Sequence, residues 1–217
     1  MNCERTFIIG DVHGCLDMLH RLMDKIDWCP DRDGLIFLGD YIDRGDNSKG
    51  VVDYILALRK CSANVQCLMG NHEAMLLAFL AGQNQDVFIM NGGTQTLQSY
   101  QADQEIGSNH LIPSAHLDFY RNLKPYLELN DYLVAHAGFR PGVDIRDQSL
   151  DDLLWIRDSF IYCPCHLNKR VIFGHTPFYE PLVMKDKIGL DTGAVYGNKL
   201  TCLELPEFHF HSVAAGM

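Results

Sequence analysis

Five short clusters in this chain combine carboxylate, imidazole and amide side chains of the kinds that bind metal ions. They are Gly10-Asp11-Val12-His13-Gly14, Gly39-Asp40-Tyr41-Ile42-Asp43-Arg44-Gly45, Gly70-Asn71-His72-Glu73, His136-Ala137-Gly138 and Gly174-His175-Thr176. Singly, each has an ordinary explanation, since Gly-Asp at a strand end makes a turn and Asn-His caps a helix. Five in one chain point to a shared site. Asp11 and His13 lie two residues apart, so in extended chain they point the same way and can chelate one ion. Asp40 has two carboxylate oxygens and can serve two ions, with Asn71, His136 and His175 completing the second. A mixed oxygen and imidazole set suits Mn²⁺, Fe or Zn²⁺ better than Mg²⁺ or Ca²⁺. Two divalent ions are therefore expected, manganese first, with iron and zinc as alternatives.

The elements around these clusters are legible too. TFIIG (6–10), LIFLG (35–39), VQCLMG (65–70), YLVAHAG (132–138) and RVIFGHT (170–176) are short apolar runs bounded by Gly, Asp, Asn or His, as strands ending in loops are. Between them lie helical patterns. Residues 15–26 place Leu16, Leu19, Leu22, Met23 and Ile26 on one face, and 48–58, 73–81 and 114–122 follow. The alternation predicts an α/β layered protein, with the chemical residues at the carboxyl ends of its strands, where open α/β sheets bind ligands. The polar stretch 83–113, with MNGGTQT inside it, reads as an insertion of loops and short helices capping the site. The end, 189–211, reads as two or three strands joined by Gly turns. Trp28 and Trp155 are expected in the core.

Composition limits the partners. The 217 residues fit one domain, 47% of them are apolar, and the formal net charge is −10. That charge argues against nucleic acid, whose binding rests on Lys and Arg. A phosphate substrate would need a local positive site, which bound metal supplies. No run approaches a membrane span, and the N-terminal segment lacks a cationic stretch followed by a long apolar one, so a cytoplasmic location is expected. Eight scattered cysteines make no disulfide scaffold. Cys163 and Cys165, beside His166, lack the matching second pair of a structural zinc site and read as free thiols.

The series GDVHG, GDYIDRG, GNHE, HAG and GHT, extended by LDTGAVYGNKL (190–200), resembles the PPP family of metallophosphatases, in particular its small bacterial and bacteriophage Ser/Thr phosphatases. The resemblance implies mixed β-sheets packed as a central sandwich flanked by helices, in one domain over 1–217. It implies one metal on Asp11, His13 and Asp40, a second on Asp40, Asn71, His136 and His175, and a bridging hydroxide as direct nucleophile. It also pairs Asp43 with His72. A carboxylate on the far imidazole nitrogen would fix the tautomer and favour the protonated form, as a general acid requires. Arg44 is the leading phosphate ligand, because guanidinium offers paired donors. Asn71 is counted with it, as is Arg157 in LLWIRD (153–158), for which a surface pair with Asp158 is the alternative. Arg140 is a weaker candidate beside Pro141.

Two substrates fit this pattern. A phosphoprotein or phosphopeptide is placed first, on the form of DRG (43–45) and NHE (71–73) and on the absence of Lys and Arg from 83–113. A dinucleoside polyphosphate, cleaved by a bis(5'-nucleosyl)-tetraphosphatase, is the alternative. A metal-free binding module would have lost some ligand positions, and all six are present.

Overall fold

The computed structural model describes residues 3–102, 111–164 and 166–216. In chain order the strands and helices are β1 (Thr6–Ile9), α1 (Leu16–Ile26), β2 (Gly34–Phe37), α2 (Ser48–Cys61), β3 (Val65–Cys67), α3 (Asn71–Leu80), α4 (Gln85–Phe88), α5 (Thr94–Ala102) and α6 (Ser114–Arg121). They continue with β4 (Tyr126–Glu128), β5 (Tyr132–Ala135), α7 (Leu150–Trp155), α8 (Asp158–Ile161), β6 (Arg170–Phe173), β7 (Leu182–Val183), β8 (Lys187–Gly189), β9 (Lys199–Leu205) and β10 (His209–Ala214).

The strands form two five-stranded mixed sheets, ordered β10-β9-β1-β2-β3 and β4-β5-β6-β8-β7. In the first, β1, β2 and β3 are parallel; in the second, β5, β6 and β8 are. The remaining strands add on antiparallel. The parallel strands are buried on both faces, which is why they read as unbroken apolar runs rather than alternating ones. Ile8, Ile36, Leu68, Val134, Ile172 and Leu203 fill the space between the sheets. Phe7, Ile9 and Phe37 point the other way and pack with Leu19 and Leu22 of α1 and Val51 and Ile55 of α2. On the opposite outer face, Leu133, Val171 and Phe173 are covered by Leu153 and Phe160. The result is the expected sandwich flanked by helices. It brings the carboxyl ends of β1, β2, β3, β5 and β6, each carrying a cluster, to one site.

The insertion is more helical than its composition predicts. Gln85 to Ala102 runs through α4, a π-helical turn at Ile89–Gly93 and α5, kinked at Gly92 (φ 99°). Gly92 and Thr96 both contact the loop after β2. Residues 103–110 of the insertion lie outside the described residues. At the C-terminal end, the β9–β10 turn contains no glycine: it is Pro206-Glu207-Phe208, with Phe208 taking the left-handed φ of 56°. In the second sheet, Lys187 on β8 is 1% exposed. Its Nζ donates to the carbonyls of Phe160 (2.7 Å), Ile161 (3.3 Å) and Cys163 (2.7 Å), tying β8 to the end of α8. Among the described residues no helix is long and apolar enough to cross a membrane.

Candidate metal centre

The loops that leave the strands are held in unfavourable backbone. His13, Asp40, Asp43, Arg44 and His175 all have positive φ, between 45° and 70°. Non-glycine residues adopt this region at a cost, and only where surroundings enforce it. Here every one of the five N–H groups is tied: His13 N to Asp40 O (2.8 Å), Asp40 N to Glu73 Oε2 (2.9 Å), Asp43 N to Thr96 Oγ1 (2.8 Å), Arg44 N to Gly92 O (3.1 Å) and His175 N to Asp11 Oδ2 (2.9 Å). The extended chain expected between Asp11 and His13 is therefore absent. Two glycines complete the cradle: a Cβ on Gly70 would collide with Asp40 Oδ1, and one on Gly174 with Asp11 Oδ1.

Ligand atoms of His13, Asp40 and His72 lie within 4.8 Å of one another, and so do those of Asp40, His136 and His175. Asp40 is common to both groups, as expected. Asn71 joins the second, its Oδ1 lying 3.0 Å from His136 Nε2 and 2.9 Å from His175 Nδ1. Asp11 belongs to neither group of converging atoms. Its Oδ2 accepts the His175 N–H, and its buried Oδ1 has no partner. The first group thus holds His72 where the sequence placed Asp11.

Backbone carbonyls set the histidine tautomers. His13 Nδ1–H donates to Ile42 O (2.7 Å) and His136 Nδ1–H to Leu38 O (3.0 Å). Each Nε2 lone pair then faces Asp40, at 3.4 Å for His13 and 3.5 Å for His136. Burial holds both rings neutral, lowering His13 to about 3. His175 falls to about 2, chiefly through burial and then the neighbouring His136. Burial, with Asp191 and Asp40 close by, raises the Asp11 carboxyl well above its ordinary range, and Asp191 rises to about 6 mainly through burial. Lone pairs facing carboxylate and amide oxygens, crowded acids, and the unpartnered Asp11 Oδ1 and His175 Nε2 make an environment short of positive charge. This donor set fits divalent cations, and hard and borderline ones in particular.

Beside it sits a hydrogen-bonded imidazole–carboxylate pair. His72 Nδ1–H donates to Asp43 Oδ2 at 2.6 Å, leaving Nε2 turned toward Asp40 Oδ2, 3.9 Å away. Asp43 is fully buried, and Thr96 Oγ1 donates to its other oxygen at 2.6 Å. Burial raises the Asp43 carboxyl, against the opposing bonds from His72 and Thr96.

The predicted cations divide. Arg44 Nη1 donates to His13 Nε2 at 2.7 Å, so its guanidinium lies against the first group of ligands. Arg157 is exposed and makes no ion pair with Asp158 or any other described residue; its charge nonetheless reaches His136, His175 and Asp191. Arg140 is committed elsewhere, gripping both oxygens of Asp152. Trp155, expected in the core, is 39% exposed, its ring 6.1 Å from that of His175. Cys163 is exposed and takes part in neither ligand group, and Cys165 lies outside the described residues.

Three contributors were missed. Glu73 accepts from the backbones of Asp40, Tyr41 and Gly70 at 2.8–3.0 Å; its place three residues after the Gly70 N-cap was the available signal. Thr96 lies 53 residues from Asp43, and nothing local marks it. Asp191, buried beside Asp11, stood in plain view within LDTG.

The sequence has curated relatives along nearly its whole length. The chain is 29% identical to bis(5'-nucleosyl)-tetraphosphatase PrpE [asymmetrical] of Bacillus thuringiensis (strain Al Hakam) and 30% identical to that of Bacillus cereus (strain AH187). Each alignment covers 97% of this chain and 94% of the relative. A crystal structure assigned as a diadenosine tetraphosphatase shares the fold with TM-score 0.76 at 24% identity, covering 98% of this chain and 94% of that one. A Saccharomyces cerevisiae protein serine/threonine phosphatase shares it with TM-score 0.68 at 15% identity, over 100% of this chain and 80% of that one. The calcineurin-like phosphoesterase pattern matches residues 4–210, and the chain belongs to that family.

Proposed function

We propose that this chain is a two-metal hydrolase of dinucleoside tetraphosphates. The observation that carries the hydrolase reading is the convergence of buried acceptors from five strand ends on Asp40, with the His72–Asp43 pair alongside. The substrate reading is supported by relatives named as tetraphosphatases along nearly the whole chain. It reverses the order drawn from sequence. The lack of Lys and Arg in 83–113 had counted against a polyphosphate, but the cations near the site come from elsewhere: Arg44 from the β2 loop and Arg157 from the α7–α8 junction.

Asp11, His13, Asp40, Asn71, His136 and His175 would hold the ions, manganese first among them. When bound, two divalent ions neutralise charge on a phosphoryl group and acidify a water. The chain's own part is then as follows. Arg44, freed from His13, and Arg157 bind the phosphate oxygens, Arg44 in bidentate fashion. Asp43 fixes the His72 tautomer and orients the ring, and Nε2 delivers the proton to the leaving oxygen. Thr96 and Ser48 hold Asp43 in place by their bonds to its carboxylate and N–H.

One observation favours a second reading, a phosphoprotein. A Ser or Thr alkoxide leaves poorly and needs a proton, whereas a phosphate chain leaves readily, so a well-built His72–Asp43 acid at 2.6 Å matters most for a phosphomonoester. Turnover of diadenosine tetraphosphate and of a phosphoserine peptide, each with Mn²⁺, separates the two. Faster turnover of the dinucleotide is expected; faster turnover of the peptide overturns the substrate reading.

A further inference from the structure

Arg44 lines a groove of about 740 Å³ together with the start of α1 and the turn at 194–197. Its volume lies in the range of small-molecule sites. Two features distinguish it. The first is Tyr196, 62% exposed on the turn whose Ala194, Val195 and Gly197 line the groove, with the Arg44 guanidinium 5.6 Å from its ring centre. The ring is not on a loose loop: Gly193 and Gly197 both take left-handed φ (69° and 85°), and Asn198 Nδ2 donates to the carbonyls of Thr192 (2.8 Å) and Tyr179 (2.9 Å). The second is charge. Beyond Arg44 the lining includes the exposed carboxylates of Asp17 and Asp46, while the Arg21 guanidinium donates to Ala214 O. Two guanidiniums and two carboxylates thus balance along the lining, and the carboxylates offer acceptors to an uncharged group with hydroxyl donors beside a phosphate at Arg44.

We propose that this groove is a nucleoside subsite, with Tyr196 as the stacking face for the base, Arg44 meeting the adjoining phosphate, and Asp46 and Asp17 accepting from the sugar hydroxyls. The proposal rests on the dinucleotide reading and names where one nucleoside of that substrate lies. Bases stack on exposed aromatic rings with little regard to sequence, and each such contact contributes appreciably to affinity.

The test uses the Mn²⁺-loaded full chain with p-nitrophenyl phosphate as reporter, inhibited by ATP or by inorganic triphosphate, which lacks base and sugar. ATP is expected to inhibit at lower concentration than triphosphate. Tyr196→Ala should cut that advantage about tenfold and Tyr196→Trp should restore it. Equal inhibition by the two in the wild type overturns the subsite. So does an ATP advantage that survives Tyr196→Ala, and so does an equal weakening of both inhibitors, which would mean that Tyr196 serves only to place Arg44. Turnover of diadenosine tetraphosphate is measured alongside. A wild-type chain inert toward it, yet keeping an ATP advantage that depends on Tyr196, retains the subsite and loses the substrate reading.

Discussion

The two sheets contribute to the site in different ways. The first sheet's strand ends carry Asp11, His13, Asp40, Asp43, Arg44, Asn71 and His72, and its loops are cross-braced by Glu73, Thr96 and Gly92. The second sheet contributes His136 and His175, together with the exposed Arg157 and Trp155. Its two histidines are held chiefly by the first sheet: His136 Nδ1–H bonds Leu38 O and His175 N–H bonds Asp11. The residues proposed for acid–base chemistry, and most of those proposed to hold metal and phosphate, therefore sit on one braced half. The other half supplies ligands whose positions depend on sandwich packing. Damage to the first should appear as lost turnover with the fold kept, and damage to the second, outside His136, His175 and Arg157, as lost stability.

The severest test of this contrast removes the residue both halves share. Asp40→Asn leaves one charge fewer where both ligand groups meet, and hydrolysis of p-nitrophenyl phosphate should fall about 10³-fold. Far-UV circular dichroism should be unchanged. Activity within tenfold of wild type would mean that Asp40 is not the common ligand.

His72→Asn follows, with an expected loss of roughly 10²-fold or more on p-nitrophenyl phosphate. The loss should shrink for leaving groups of lower pKa. A series of aryl phosphates gives a slope, and a variant whose slope equals that of wild type would exclude His72 as the acid.

Thr96→Val is isosteric and lies away from the ligand atoms. It strips Asp43 of a hydrogen bond to its carboxylate and its N–H of an acceptor, so kcat should drop about tenfold, by analogy with partners that orient active-site ligands. KM and the Mn²⁺ concentration for half-activation should stay within about twofold, and a shift in the metal requirement alone would break the division between the halves.

Lys187→Met should have the smallest effect on turnover, within about twofold. It leaves three carbonyls at the end of α8 without their donor, so thermal stability should fall by roughly 1–3 kcal/mol. For a chain of this size that is a drop in Tm of some 2–4 °C per kcal/mol.

Much of the architecture was legible because its physical causes are local. After the half-buried Thr6 and Arg170, FII and VIF are apolar at every position because both faces are covered, and a Gly beside Asp or His marks where the strand must stop. What escaped depended on backbone conformation and on distant partners. His13 reads as one residue of an extended pair until its left-handed φ turns the ring from Asp11 toward Asp40 and Arg44. Thr96 bonds Asp43 across 53 residues through a helix whose sequence is polar and weakly periodic. The phosphoprotein was placed first for a related reason: 83–113 holds no Lys or Arg, whereas the cations near the site are carried by other elements.

The enclosed amine of Lys187 has one further use. An ammonium with its donors spent on three carbonyls and its surface covered cannot meet an acylating reagent in the closed protein. It becomes a target only when α8 lifts from β8. The rate at which Lys187 acquires label under native conditions, followed by mass spectrometry, is thus a clock for the local opening of the segment that carries Arg157, independent of turnover.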